Sequence, residues 1–111
     1  MTIDDLKRYG ADTDTGLHRC MGDEAFYMEL VNMAINDEGF SELAAAVAQN
    51  NLDTAFEEAH ALKGVFGNIA LTPIYELLCE LTELLRNKKE ADYSEYVNKI
   101  MHELYKLKSL A

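Results

Sequence analysis

Six apolar residues in the middle of the chain, Leu52, Ala55, Ala59, Leu62, Phe66 and Ile69, follow one another at intervals of 3, 4, 3, 4 and 3 residues. That spacing keeps all of them on one side of an α-helix, whose turn holds about 3.6 residues. The same period returns at Ile74, Leu77, Leu78, Leu81, Leu84 and Leu85, and again at Tyr96, Val97, Ile100, Leu104 and Leu107. No stretch sustains the period-two alternation of a half-buried strand. The pattern predicts an all-α chain: an antiparallel four-helix bundle with short helical segments at its N-terminus.

Local signals place the boundaries. Thr2 to Tyr9 reads as a short helix with Ile3 and Leu6 inward, ended by Gly10. Ala11 to Thr15 reads as loop, and Gly16 to Met21 as a helical turn. Asp23 is a capping residue for a longer helix whose inward face is read as Phe26, Leu30, Met33 and Ala34, with Gly39 at or just beyond its end. Phe40, Leu43, Ala44 and Val47 make the next apolar face, and Gln49-Asn50-Asn51 a turn. Asp53 is the expected cap of the central helix. Thr72-Pro73 restarts the chain with a hydroxyl cap and proline at the first helical position. Asn87 to Ala91 is a polar connection, and Asp92 or Ser94 caps the last helix. The chain is expected to be one domain, residues 1–111, with its bundle core at about 23–108.

Net charge narrows the function. Twenty acidic residues against ten basic ones give −10, which argues against a general nucleic-acid surface. No window approaches the ~18 apolar residues of a membrane span, and no basic stretch precedes an apolar run at the N-terminus. Cys20 and Cys79 lack metal-ligand spacing and read as free thiols of a reducing compartment. The expectation is a cytoplasmic protein without membrane or nucleic-acid partners.

One strip of the central helix stands out chemically. Relative to His60, Lys63 is three residues on, Gly64 four and Gly67 seven, all within about 60° of the imidazole around the helix axis. His60 itself lies about 130° from the centre of the apolar stripe, so it does not point into the core. Glycine costs about 1 kcal/mol against alanine inside a helix. Two of them beside a histidine suggest that another molecule's backbone must come close, and the lysine suggests that what arrives is negatively charged. Close helix packing is the competing explanation for Gly67, and Phe56, one turn before His60, serves either the core or an apolar docking patch.

The run Ala59-His60-Ala61-Leu62-Lys63-Gly64 resembles the Ala-His-x-Leu-Lys-Gly signature of the histidine-containing phosphotransfer (HPt) domain family. The continuation Gly67-Asn68-Ile69-Ala70-Leu71-Thr72-Pro73 and the segment Gly16-Leu17-His18-Arg19-Cys20-Met21-Gly22-Asp23 are also similar to family members, so the likeness spans about residues 14–108. The chain departs from the family at Ala70, where a glycine is usual, and at Phe66, where a small residue is common.

The resemblance implies that His60 accepts a phosphoryl group on Nε2 and exchanges it with an aspartate of a response-regulator receiver domain. It further implies that Lys63 offsets the phosphoryl charge and that Gly64 and Gly67 admit the partner. A docking strip would include Phe56 and Leu71. The partners would be that receiver and a sensor or hybrid histidine kinase. The chain shows no Gly-x-x-x-x-Gly-Lys phosphate loop, so the domain is read as a covalent carrier with no kinase or ATPase machinery and no cofactor, the receiver supplying Mg²⁺.

Other readings of the same residues stand beside it. An interaction module with an unused histidine would bind the same partners without carrying phosphate. The phosphoacceptor domain of a chemotaxis-type kinase would share bundle and histidine. Glu57-x-x-His60 has di-iron spacing, but Lys99 precedes His102 and Thr15 precedes His18 where a second glutamate would be needed, so no metal is expected. His18 and His102 read as ordinary surface or packing residues, and the basic run Arg86-Asn87-Lys88-Lys89 as a solvated face.

Overall fold

Short polar side chains start most of the helices. In a computed structural model, which describes residues 1–110, these are α1 (Ile3–Tyr9), α2 (Thr13–Arg19), α3 (Glu24–Ile35), α4 (Gly39–Ala48), α5 (Leu52–Asn68), α6 (Thr72–Arg86) and α7 (Tyr93–Ser109). No strand occurs among the described residues. Thr2 and Asp5 form a reciprocal capping box on α1, and Gly10 ends that helix in the left-handed conformation. Asp23 caps α3 and Asp92 caps α7, each accepting from a backbone N–H three residues on.

Three expected boundaries shift. Asp12 caps α2 through the Thr15 N–H, so the helix begins inside the segment read as loop. Asn51, not Asp53, caps α5 by accepting from the Thr54 N–H, and Asp53 instead sits in the first turn, where its charge favours the helix dipole. Leu71 takes the cap position of α6 without a side-chain bond; Thr72 is already helical.

The helices α4, α5, α6 and α7 pack in a closed ring, α4 against α5 and α7, α6 against α5 and α7. Connections of a few residues make successive members antiparallel. The predicted stripe of α5 is the centre of the core: Ala55, Ala59 and Phe66 are fully buried and Leu62 nearly so. Phe66 meets Phe40 of α4 edge-on at 5.4 Å between ring centroids. Cys20 is buried, Cys79 half-buried, and both are free.

The expected inward face of α3 is corrected. Tyr27, Val31, Ala34 and Ile35 are buried, whereas Phe26 is 47% and Met33 65% exposed, with Leu30 between. The 26-30-33 stripe exists, but it faces outward. Tyr27 sets this rotation: its hydroxyl donates to the Ile69 carbonyl at 2.8 Å inside the protein. Gly16 of α2 makes room for the ring, because a Cβ there would stand 2.5 Å from Tyr27 Cε1. With the ring fully buried and held by its hydrogen bond, it has nowhere to move. Gly16→Ala is therefore expected to lose about 1–2 kcal/mol net, the overpacking outweighing alanine's better helix propensity. Urea unfolding checks this, and an unchanged midpoint would contradict it.

Candidate functional site

Burial of Ala55, Ala59, Leu62 and Phe66 fixes the rotation of α5, and that rotation turns His60 to solvent. Helical side chains lean towards the N-terminus, over the residue three or four positions before them. His60 accordingly lies over Phe56: the two rings stack with centroids 5.6 Å apart and planes inclined by 26°. Phe56 is half-buried and carries the Arg86 guanidinium from the end of α6, 5.3 Å from its ring centroid. The basic run containing Arg86 is thus not wholly a solvated face.

The same directional rule explains Gly64. A Cβ at position 64 would meet nothing within 4 Å, so packing does not demand glycine there. Any longer side chain at that position would lean back over the imidazole. Lys63 stands beside it, half-buried, and among the described residues no carboxylate pairs with it. On the α4 side of α5, burial and then the hydrogen bond and charge of Glu42 hold the Glu58 carboxyl above the usual carboxylate range, with Asp37 and Glu57 adding to the effect.

Gly67 is different. A Cβ there would sit 2.8 Å from Cε1 of Tyr75 on α6, so this glycine lets the two helices approach. Leu71 is fully buried and does not belong to an exposed strip. The reason lies in how α5 ends. Ala70 has φ +56°, its N–H donates to Gly67 O, and the Leu71 N–H donates to Phe66 O. This is a Schellman turn, which folds Leu71 inward towards Phe66. Ala70, itself buried, occupies the left-handed position that favours glycine. Ala70→Gly is expected to gain about 0.5–1 kcal/mol by relieving that conformation, seen as a higher urea midpoint; a lower one would mean the methyl group matters more as packing.

Carbonyls at this helix end would be orphaned by the end of the ladder. They are taken up by residues far away in sequence. Arg19 donates to Gly67 O and, at 3.2 Å, to Asn68 O; Tyr27 donates to Ile69 O; the Asp12 N–H donates to Ala70 O at 2.9 Å. Arg19 received no individual role from the sequence, although it sits within the Gly16–Asp23 pattern. Next to this end, an open groove of about 310 Å³ runs between α3 and α5, lined by Leu30, Met33, Ala34, Val65 and Ile69 with Asp37 and Asn68. Sequence reasoning missed it because Met33 had been turned inward.

Glu57 and His60 find no further ligands: among the described residues no group of three or more His, Cys, Asp or Glu side chains gathers as a metal site would need. His18 and His102 are exposed. No helix of the described residues is long and apolar enough to cross a membrane.

A family model described as Hpt domain matches residues 36–110, which include α4 to α7 and every residue of the His60 strip. Comparison with curated proteins and with solved structures gives no match.

Proposed function

The chain belongs to the Hpt domain family, and we propose that its phosphoacceptor is His60, exchanging a phosphoryl group with the aspartate of a response-regulator receiver domain. Domains of this family are phosphocarrier modules of histidine phosphotransfer in phosphorelays, not kinases. The observation that carries the assignment to His60 is its exposed imidazole on the outer face of α5, beside an uncovered Gly64.

The chemistry needs little from the domain. A neutral imidazole is a competent nucleophile. The Nε2 lone pair attacks phosphorus of the receiver's aspartyl phosphate. The P–N bond forms as the acyl P–O bond breaks, the electron pair leaves on the aspartate carboxylate, and the ring proton stays on Nδ1. The reverse step returns the group to a receiver. Lys63 contributes a point cation near the transferred group. The receiver contributes the aspartate and Mg²⁺.

Docking is supported by the outward stripe of Phe26, Leu30 and Met33 and the groove it forms with Val65. Phe56, stacked on His60, would belong to the same docking surface, and the buried Leu71 would not. A sensor or hybrid kinase would meet the phosphorelay through the same histidine.

Transfer from receiver domains carrying radiolabelled phosphoryl groups, in the presence of Mg²⁺, tests this reading. The expected label on the chain is acid-labile and alkali-stable. Receivers that bind without passing label would instead favour an interaction module that leaves His60 unused.

A further inference from the structure

Exposed imidazoles on helix surfaces ordinarily sample several rotamers, and each unproductive one subtracts from the fraction of encounters in which the lone pair faces phosphorus. Here the ring is not left to itself. It lies on Phe56 at 5.6 Å between centroids, nearly parallel, and Phe56 is in turn covered by Arg86, whose guanidinium carbon stands 5.3 Å from the ring centre. Two helices meet in this arrangement: Phe56 and His60 come from α5, Arg86 from the last turn of α6. Arg86 is itself steadied by Glu83, one turn earlier, at 3.3 Å. A guanidinium over an aromatic face is attracted by the ring's quadrupole, and its planarity restricts how the phenyl group can swing.

We propose that Phe56 and Arg86 are positioning residues for His60: the phenyl ring holds the imidazole in its attacking rotamer, and the guanidinium holds the phenyl ring. The inference rests on the phosphoacceptor reading of His60. It assigns Phe56 a part in the chemical step as well as in docking, and it gives a function to the C-terminal end of α6. Neither residue touches the phosphoryl group; both act through the orientation of the imidazole.

The variants Phe56→Leu, Phe56→Tyr and Arg86→Met separate the alternatives, with two readouts. The first is the NMR shift of the His60 ring protons, which a stacked phenyl group moves upfield. The second is transfer from a phosphorylated receiver, resolved into KM and kcat. Phe56→Leu keeps apolar bulk, so the helix and the docking patch persist. It is expected to remove the upfield shift and lower kcat about tenfold with KM within twofold. Phe56→Tyr is expected to restore both, and Arg86→Met to produce a partial loss of each. An unchanged His60 shift in Phe56→Leu would overturn the stack. An unchanged kcat, or an effect confined to KM, would overturn its positioning role and leave Phe56 a docking residue. Absence of label on the parent chain from every receiver would instead overturn the phosphoacceptor reading, and this inference with it.

Discussion

A His60→Ala chain is expected to take up no phosphoryl label while folding as the parent does. The two halves of that expectation have separate origins. Loss of label follows because, of the three histidines, only His60 shares its helix face with a lysine three residues on and an uncovered glycine four residues on; His18 and His102 are exposed too but lack that setting. Retention of the fold follows because the imidazole is exposed, and alanine is the better helix former by about half a kcal/mol. A urea midpoint equal to the parent's or slightly higher is the control, and phosphotransfer is the readout. Label persisting in the variant would mean that another residue is the acceptor. Loss of both label and fold would mean that His60 contributes to stability in a way its exposure does not suggest.

Gly64→Leu is expected to slow transfer about a hundredfold without weakening the domain, the rate loss matching a displacement of about 1 Å between reacting groups. A Cβ at this position meets open space, so the substitution strains nothing and replaces a poor helix residue with a good one, a gain of up to about 1 kcal/mol. The leucine side chain would nonetheless lean over the turn before it, which is where the imidazole stands. Gly67→Leu should behave in the opposite sense, because Tyr75 already fills the space its side chain would need. The pair distinguishes a glycine kept for access from one kept for helix packing. Transfer at the parental rate in Gly64→Leu would sink the access argument.

Much of this architecture was readable from residue spacing alone. The stripe of α5 runs without interruption at intervals of three and four, so both its core and the outward direction of His60 follow from counting. For α3 the counting misled, because apolar side chains occupy most of its circumference. Tyr27 and Val31 suit a core as well as Phe26 and Met33 do. What decides is a hydrogen bond to Ile69, forty-two residues away, and the gap left for the ring by Gly16. Leu71 was misplaced for a related reason. Extending the helical wheel past Asn68 puts it beside the site, but the chain has by then turned through the left-handed Ala70. The stack under His60 was half visible: Phe56 sits one turn before it by simple spacing. Arg86 reaches the phenyl ring only because α6 returns alongside α5, which no local pattern encodes.

The carbonyls of Gly67, Asn68, Ile69 and Ala70 are held by Arg19, Tyr27 and the backbone of Asp12, all of which precede residue 36, where the match to the family model begins. Without those partners the end of the helix bearing the histidine would keep its local bond from the Ala70 N–H to Gly67 O but lose the long-range ones, at roughly 1 kcal/mol for each bond lost from a total of about ten. Recognition and cohesion therefore have different borders in this molecule. Anyone grafting the module into a synthetic relay should cut ahead of Asp12, not where the family model's match starts.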